Sequence, residues 1–430
     1  MLKLFKTDLE RFSSDFNDML KIVLLNSLGF FFIGFWIPII ANTSMGATGF
    51  QLSLVVSVQV LGRMLSGFIV GFITDKIKSR TFLVLIGSFG RAIAYFIIYS
   101  AIITNYIFLL GIGTFTLGFM AGVFWVPFNA FVAEKSSKNH RSQAYGKRDS
   151  SNAIGQVLGS LFGFTLLMVA SSFTDNAFIL YGAIPIFGLG NLIAGVRFYY
   201  KVDEKIKFIE DSENNNNLDI NPSGKTKLFY SRAISIGLAL LMIVLFLGSV
   251  NGSIARPFLN IYLLENIESN VNIVIWAYLP AGILATLFAP KLGAIVDKLR
   301  PSIGITIVSF LGALVTWFLI NSANIWIFAA LLLIDMTIMI AAGLIFQNLV
   351  SRISKEHRGK ILGFGEFFTY LGNAIGPILG GIVWDFLGSK YPFIISIFVE
   401  LSLIPLYLGV VYLLIPHLAE SYEIKVEKSE

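Results

Sequence analysis

Five charged side chains lie inside long apolar runs of this sequence: Arg63, Arg91, Arg256, Asp335 and Glu400. A charge in a hydrocarbon setting costs several kcal/mol, so each needs a partner or a task. Asp335 stands ten residues into the uncharged run that begins at Ile325, about 15 Å along a helix. A carboxyl at that depth is suited to binding and releasing a proton, or to a structural ion pair. Arg256 precedes Pro257, which breaks or kinks a helix; it either holds an anionic group or pairs with Asp335. Arg63 stands twelve residues before Asp75, with Gln59 one helical turn away. Arg91 and Glu400 are expected to be structurally paired. Other chemistries lack their residues. There is no Cys, and the three His residues, His140, His357 and His417, stand apart. No Gly-x4-Gly-Lys-Ser/Thr phosphate loop occurs. The expectation is a protein with no cofactor, no metal, no enzymatic centre and no nucleic-acid partner.

The elements that must carry these charges are long and apolar. The 430 residues are 56% hydrophobic and only 13% charged, with 40 Phe. Soluble domains carry about 25% charged residues. The apolar runs are about twenty residues long, the length that crosses a bilayer as a helix. Alternating ten-residue segments of a membrane barrel are absent. Twelve spans are predicted, near 20–40, 50–73, 81–101, 106–133, 149–171, 178–200, 231–263, 271–296, 302–321, 325–350, 361–387 and 391–416. With a cytoplasmic N-terminus, 28 of the 32 Lys and Arg residues fall in inside segments, and only Lys390 falls in an outside loop. That asymmetry predicts a multi-pass plasma-membrane protein with both termini cytoplasmic.

The N-terminal segment carries Leu2, Phe5, Leu9, Phe12, Phe16 and Met19 at steps of three and four. It predicts an amphipathic helix over 1–20 lying along the membrane surface. The charged, Asn-rich stretch after Lys201 predicts a partly disordered cytoplasmic linker. The expected organisation is therefore the helix at 1–20, a six-helix bundle over 21–200, the linker at 201–230, a second bundle over 231–416 and a cytoplasmic tail at 417–430.

Two internal repeats relate the halves. Gly71, Asp75 and Lys76 recur 222 positions later as Gly293, Asp297 and Lys298. Arg141, Gly146, Gly155, Gly159 and Gly163 recur 217 positions later as Arg358, Gly363, Gly372, Gly376 and Gly380. Asp149 corresponds to Glu366 and Gln156 to Asn373. Six helices return a chain to its starting side, so the duplicates share one orientation. The glycine ridges allow close helix packing. They are also placed to form surfaces across which the halves move. Asp149 and Glu366, each near a helix start, either favour the helix dipole or serve a gate or ion path.

On these residues the chain resembles the major facilitator superfamily of secondary transporters. Gly71, Asp75, Lys76 and Arg80 match the family's Gly-x-x-x-Asp-Arg/Lys signature, with Lys78 where the family has Gly and Ser79 where a cation is usual. The resemblance covers the whole chain. It implies an all-α membrane protein of twelve transmembrane helices in two pseudosymmetric six-helix bundles. It implies a gate formed by Gly71, Asp75, Lys76, Arg80, Arg141, Gly293, Asp297 and Arg358. Gly71 is there to let another helix approach closely. Spans 1, 4, 7 and 10 of the family line a cavity. On those spans Asp335 is the candidate for proton coupling, and Arg256, Asn26, Trp36, Asn129 and Asn251 for substrate contact; Glu366, in the polar stripe of the second repeat, is a further coupling candidate, and Arg63, whose counterpart in the second half is Ala285, a further substrate contact. The implied partners are a small organic substrate, a coupling proton and the lipid bilayer, with a monomer as the working form. The expected function is alternating-access transport leaning to efflux of amphipathic compounds; the alternative is an uptake permease for an organic anion or sugar.

Overall fold

The computed structural model describes residues 11–74, 77, 79–137, 140–206, 232–296, 300–353 and 358–417. Fifteen α-helices run through them, and among the described residues there is no strand beyond one isolated bridge, Phe12 to Ser136. Eleven helical stretches are long and apolar enough to cross a membrane. The remaining predicted span is the helix Val271–Val296 (α11), within which the apolar stretch Val271–Gly282 is shorter.

Three of the twelve expected spans are broken helices, two of them for a local reason that the residues show. The first comprises α1 (Phe16–Asn26) and α2 (Phe30–Thr43). Between them Gly29 takes φ 69°, a left-handed conformation that costs other residues. A Cβ added there would sit 2.6 Å from the Phe187 ring, so both backbone and packing require glycine. The sixth comprises α7 (Ala177–Leu180) and α8 (Ala183–Lys201). In the seventh, α9 (Arg232–Ile254) gives way to a 3₁₀ turn, Arg256–Phe258, before α10 (Leu259–Asn266). Pro257, which lacks an amide proton, breaks the helix there as expected. The others are continuous: α3 (Gly49–Thr74), α4 (Arg80–Thr104), α5 (Ile107–Glu134), α6 (Arg141–Ser171), α12 (Pro301–Ile320), α13 (Ile325–Arg352), α14 (Arg358–Leu387) and α15 (Tyr391–Leu414).

The chain forms two compact units. Unit 1 holds 1–46 and 58–228; unit 2 holds 47–57 and 229–430. In unit 1, Phe12, Phe16, Met19, Phe124, Phe128, Phe131 and Phe198 make one buried cluster. The expected surface helix at 1–20 takes another form in its described part. Residues 1–10 lie outside the described residues, while Phe12, Phe16 and Met19 are buried inside the unit instead of facing a membrane surface. Their spacing is amphipathic because one face packs on α5 and α8. In unit 2, Leu241, Val244, Ile345, Tyr407 and Val410 form the corresponding cluster. Unit 2 also takes in the first turns of α3. There Asp385 on α14 accepts hydrogen bonds from the amides of Gly49, at 2.6 Å, and Phe50, at 2.8 Å. These amides have no intrahelical partner, and a carboxylate at a helix N-terminus also complements the dipole.

The two glycine ridges do the same job in each unit. On α6, Gly155 faces the backbone of Leu24, Gly159 that of Leu28, and Gly163 the ring of Phe32. On α14, Gly372 faces Phe246, Gly376 faces Val250 and Ser253, and Gly380 faces Ile254. Span 5 thus packs on span 1, and span 11 on span 7. The ridges are internal seams of each unit, which corrects the expectation that the halves move across them. Gly376→Leu is expected to force α14 off α9, since an added Cβ would lie 2.6 Å from the Val250 carbonyl oxygen. Overpacking of this kind costs about 1–3 kcal/mol. A lowered melting temperature of the purified protein checks it, with the surface change Gly248→Ala, where an added Cβ meets nothing within 4 Å, as control.

Candidate functional site

Three charged residues of unit 2 and three polar ones come from six segments. Asp335 projects from the tenth span, α13, within electrostatic reach of Glu400 on α15 and Arg256 at the 3₁₀ turn. Tyr278 on α11 is within electrostatic reach of both Arg256 and Asp335. Asn251, three residues before the end of α9, donates from Nδ2 to Glu400 Oε2 at 2.6 Å. Ser309 on α12 is the other polar group that acts on the Glu400 carboxylate. Arg256 acts on Asp335 through space. Among the described residues neither makes an ion pair, so the direct pairing that the sequence left open is not formed. Asp335 is held in an apolar span by a field, with no contact that locks it ionised.

Glu400 is the residue that sequence reasoning missed. It was expected to be a peripheral, structurally paired charge. An amide and a hydroxyl act on it, and its charged neighbour is Asp335. Asn251 was expected at a substrate and is instead buried against Glu400. The available signal was a second carboxyl at mid-span in the same half as Asp335. Which helices meet there is a tertiary fact that spacing does not carry.

Unit 1 has a cationic interior. Arg91 on α4 is 2% exposed. It donates to both the side-chain and, at 3.1 Å, the backbone oxygen of Asn26, and its guanidinium lies 5.8 Å from the centre of the Phe124 ring. Asn26 in turn donates to Ser88 at 3.2 Å. Asn26 is fully buried, so this candidate substrate contact holds the unit together instead. Arg63 on α3 is exposed, and close enough to Arg91 for their charges to interact. Trp36 is buried among Phe32, Phe35 and Tyr181, and its Nε1 has no partner among the described residues. Asn129 accepts from Arg148 at 2.6 Å. Arg256 and Glu366 are exposed.

Of the gate residues, Asp75, Lys76 and Asp297 lie outside the described residues, as does Lys78. The side chains of Arg141 and Arg358 lie outside them as well; only their helical backbones are placed, as is that of Gly293. A Cβ at Gly71 meets no atom within 4 Å, so no close helix approach requires this glycine in the arrangement described. Arg80 forms a two-pronged pair with Glu134 at 2.8 and 2.9 Å, fastening α4 to the end of α5. Beside it Glu204 accepts from the Thr81 amide at 2.8 Å, the Thr81 hydroxyl at 2.6 Å and the Ser79 hydroxyl at 2.9 Å. Burial alone would push the Glu204 carboxyl up, but these hydrogen bonds and one from the Arg80 amide outweigh it and hold it below the usual carboxylate value. Arg80 and Glu204 anchor the start of α4 within unit 1.

Comparison with known proteins gives the same architecture. The family profile described as Major Facilitator Superfamily matches residues 20–364. The chain is 23% identical over 381 residues to the multidrug resistance protein MdtG of Salmonella arizonae, covering 85% of this chain and 86% of that protein. It is 24% identical over 380 residues to the protein of that name from Citrobacter koseri, with coverage of 85% and 86%. Among solved structures it is similar to a bacterial homolog of the human lysosomal transporter Spinster in an inward-facing, unoccupied conformation. The TM-score is 0.74 at 13% identity, over 94% of this chain and 98% of that one. The nucleoside transporter NupG is similar with a TM-score of 0.64 at 14% identity, over 91% of this chain and 98% of that one.

Proposed function

The chain belongs to the Major Facilitator Superfamily, and from that membership we propose that it is a proton-coupled exporter of amphipathic organic compounds working by alternating access. It is a multi-pass membrane protein and a transporter of small molecules; proton coupling, export, a monomeric working form and cytoplasmic termini are our reading. The observation that carries the coupling is Asp335, mid-span, with Glu400 and Arg256 acting on it and no ion pair among the described residues. A carboxyl so placed can exist in both protonation states, which is what coupling demands. Export is supported by the relatives named as multidrug resistance proteins, and cytoplasmic termini by the excess of Lys and Arg in the segments on that side. The absence of a nucleotide loop in the sequence fits drive by an ion gradient.

A second reading concerns the substrate's charge. No Asp or Glu occurs in residues 19–74, 81–133, 150–174 or 176–202. Unit 1 therefore carries the buried Arg91 and, on α3, the exposed Arg63 within stretches that hold no carboxylate, a setting that favours an organic anion. Proteoliposomes separate these readings. With an imposed pH gradient, the uptake of ethidium and of carboxyfluorescein is followed into vesicles whose interior is acidic. Gradient-driven accumulation of either probe that collapses with a protonophore supports proton coupling, and the probe accumulated gives the preferred charge. Flux of both probes that ignores the proton gradient and follows a sodium gradient would overturn it.

A further inference from the structure

Glu400 is bound by groups that serve a carboxyl in either protonation state. Towards an ionised carboxylate, Asn251 donates from Nδ2, as the 2.6 Å contact has it. Towards a protonated carboxyl, the same side chain can turn its amide and accept through Oδ1, which is buried without a partner. Ser309 is likewise a donor or an acceptor. An arginine or lysine in their place could only donate and would lock Glu400 ionised. The charges around the site fit one exchangeable proton. Asp335 and Glu400 ionised, with Arg256, sum to one negative charge, and one bound proton brings the cluster to zero. A neutral cluster is the form that hydrocarbon tolerates. Among the described residues, the helices against α15 add no other charge to the pair. α9 brings Asn251 and α12 brings Ser309. α13 brings Asp335, within electrostatic reach of Arg256 and Tyr278. On α14, Asp385 is engaged with the amides of Gly49 and Phe50 and Glu366 is exposed.

We infer that Glu400 is a second proton-binding residue of the transporter, which shares a single exchangeable proton with Asp335 while Asn251 and Ser309 follow its protonation. This deepens the proton-coupled reading and rests on it. Two interacting carboxyls titrate as a pair, and removing one changes the titration of the other. When the pair takes up its proton from water, its formal charge passes from two negatives to one, and release reverses this.

The test needs no substrate. Purified full-length protein in lipid nanodiscs is titrated with pH while the infrared carbonyl stretch of protonated carboxyls is followed. The wild type should show a titrating band that both Asp335→Asn and Glu400→Gln diminish. In Glu400→Gln the band left by Asp335 should move its midpoint to lower pH by on the order of one unit, because a like-charged neighbour has gone. Asn251→Leu, which keeps both carboxyls but removes the adaptable partner, should also displace the midpoint. Melting temperatures identify any variant that fails to fold, and Asn251→Leu then serves in place of Glu400→Gln. If Asp335→Asn alters the band while Glu400→Gln and Asn251→Leu leave its midpoint unchanged, the shared proton is excluded and the coupling role of Asp335 survives. If Asp335→Asn leaves the band untouched, the coupling reading itself falls.

Discussion

Asp335→Asn is expected to abolish gradient-driven accumulation while leaving downhill exchange of the same probe intact. The substitution keeps size and polarity and removes the one property that coupling uses, the reversible gain of a proton. A one-unit pH gradient is worth about 1.4 kcal/mol per proton, enough to sustain a roughly tenfold concentration ratio for one coupled proton. The wild type should approach such a ratio in proteoliposomes, and the variant should fall to the ratio of passive equilibration, close to one. Asp335→Glu, which keeps the carboxyl one methylene further out, should retain part of the accumulation with an altered pH dependence. The surroundings make Asp335 the sensitive position. Its charged neighbours act at a distance, so no contact ion pair is lost and the fold should tolerate the amide. Accumulation by Asp335→Asn equal to that of the wild type would place coupling elsewhere and make this residue a scaffold polar group.

How far the sequence alone leads depends on whether a feature is local. Span lengths follow from hydropathy, and Pro257 breaks the seventh span where its missing amide requires. The glycine repeats foretold close packing, and the structure supplies the partners: Leu24, Leu28 and Phe32 in one unit, Phe246, Val250 and Ile254 in the other. Which surfaces the glycines face was not legible, since spacing along a helix names a stripe and never its neighbour. The same limit explains Asn26 and Glu400. Asn26 lies at a position where a polar contact is useful, and only the fold shows Arg91 consuming it. Glu400 stands on span 12, which the family resemblance makes peripheral, yet α9 and α12 bring Asn251 and Ser309 to it. The periodicity of Phe12, Phe16 and Met19 was real, but an apolar stripe suits a lipid surface and a protein core equally, and here the core has it.

That core explains why Lys135→Met should be the most destabilising charge substitution in unit 1. Lys135 and Asp15 are buried, with side chains 1% and 8% exposed, and form an ion pair at 2.6 Å. Lys135 Nζ also donates to the carbonyl oxygens of Asp203 and Ile206, both at 2.7 Å. Asp15 accepts from the Ser13 hydroxyl at 2.7 Å and the Asp203 amide at 3.2 Å. One ammonium thus ties together the segment before α1, the end of α5 and the chain leaving α8. Methionine would fill the stem's volume but leave a buried carboxylate without its cation and two carbonyls without their donor. Removing one partner of a buried pair costs about 3–5 kcal/mol, a large share of the roughly 5–15 kcal/mol that holds a domain together. The melting temperature of the purified protein should fall by on the order of 10 °C. Asp15→Asn combined with Lys135→Met should recover part of the loss, because no uncompensated charge then remains. A double variant less stable than Lys135→Met alone would mean that the hydrogen bonds to residues 203–206, and not the buried charge of Asp15, set the cost.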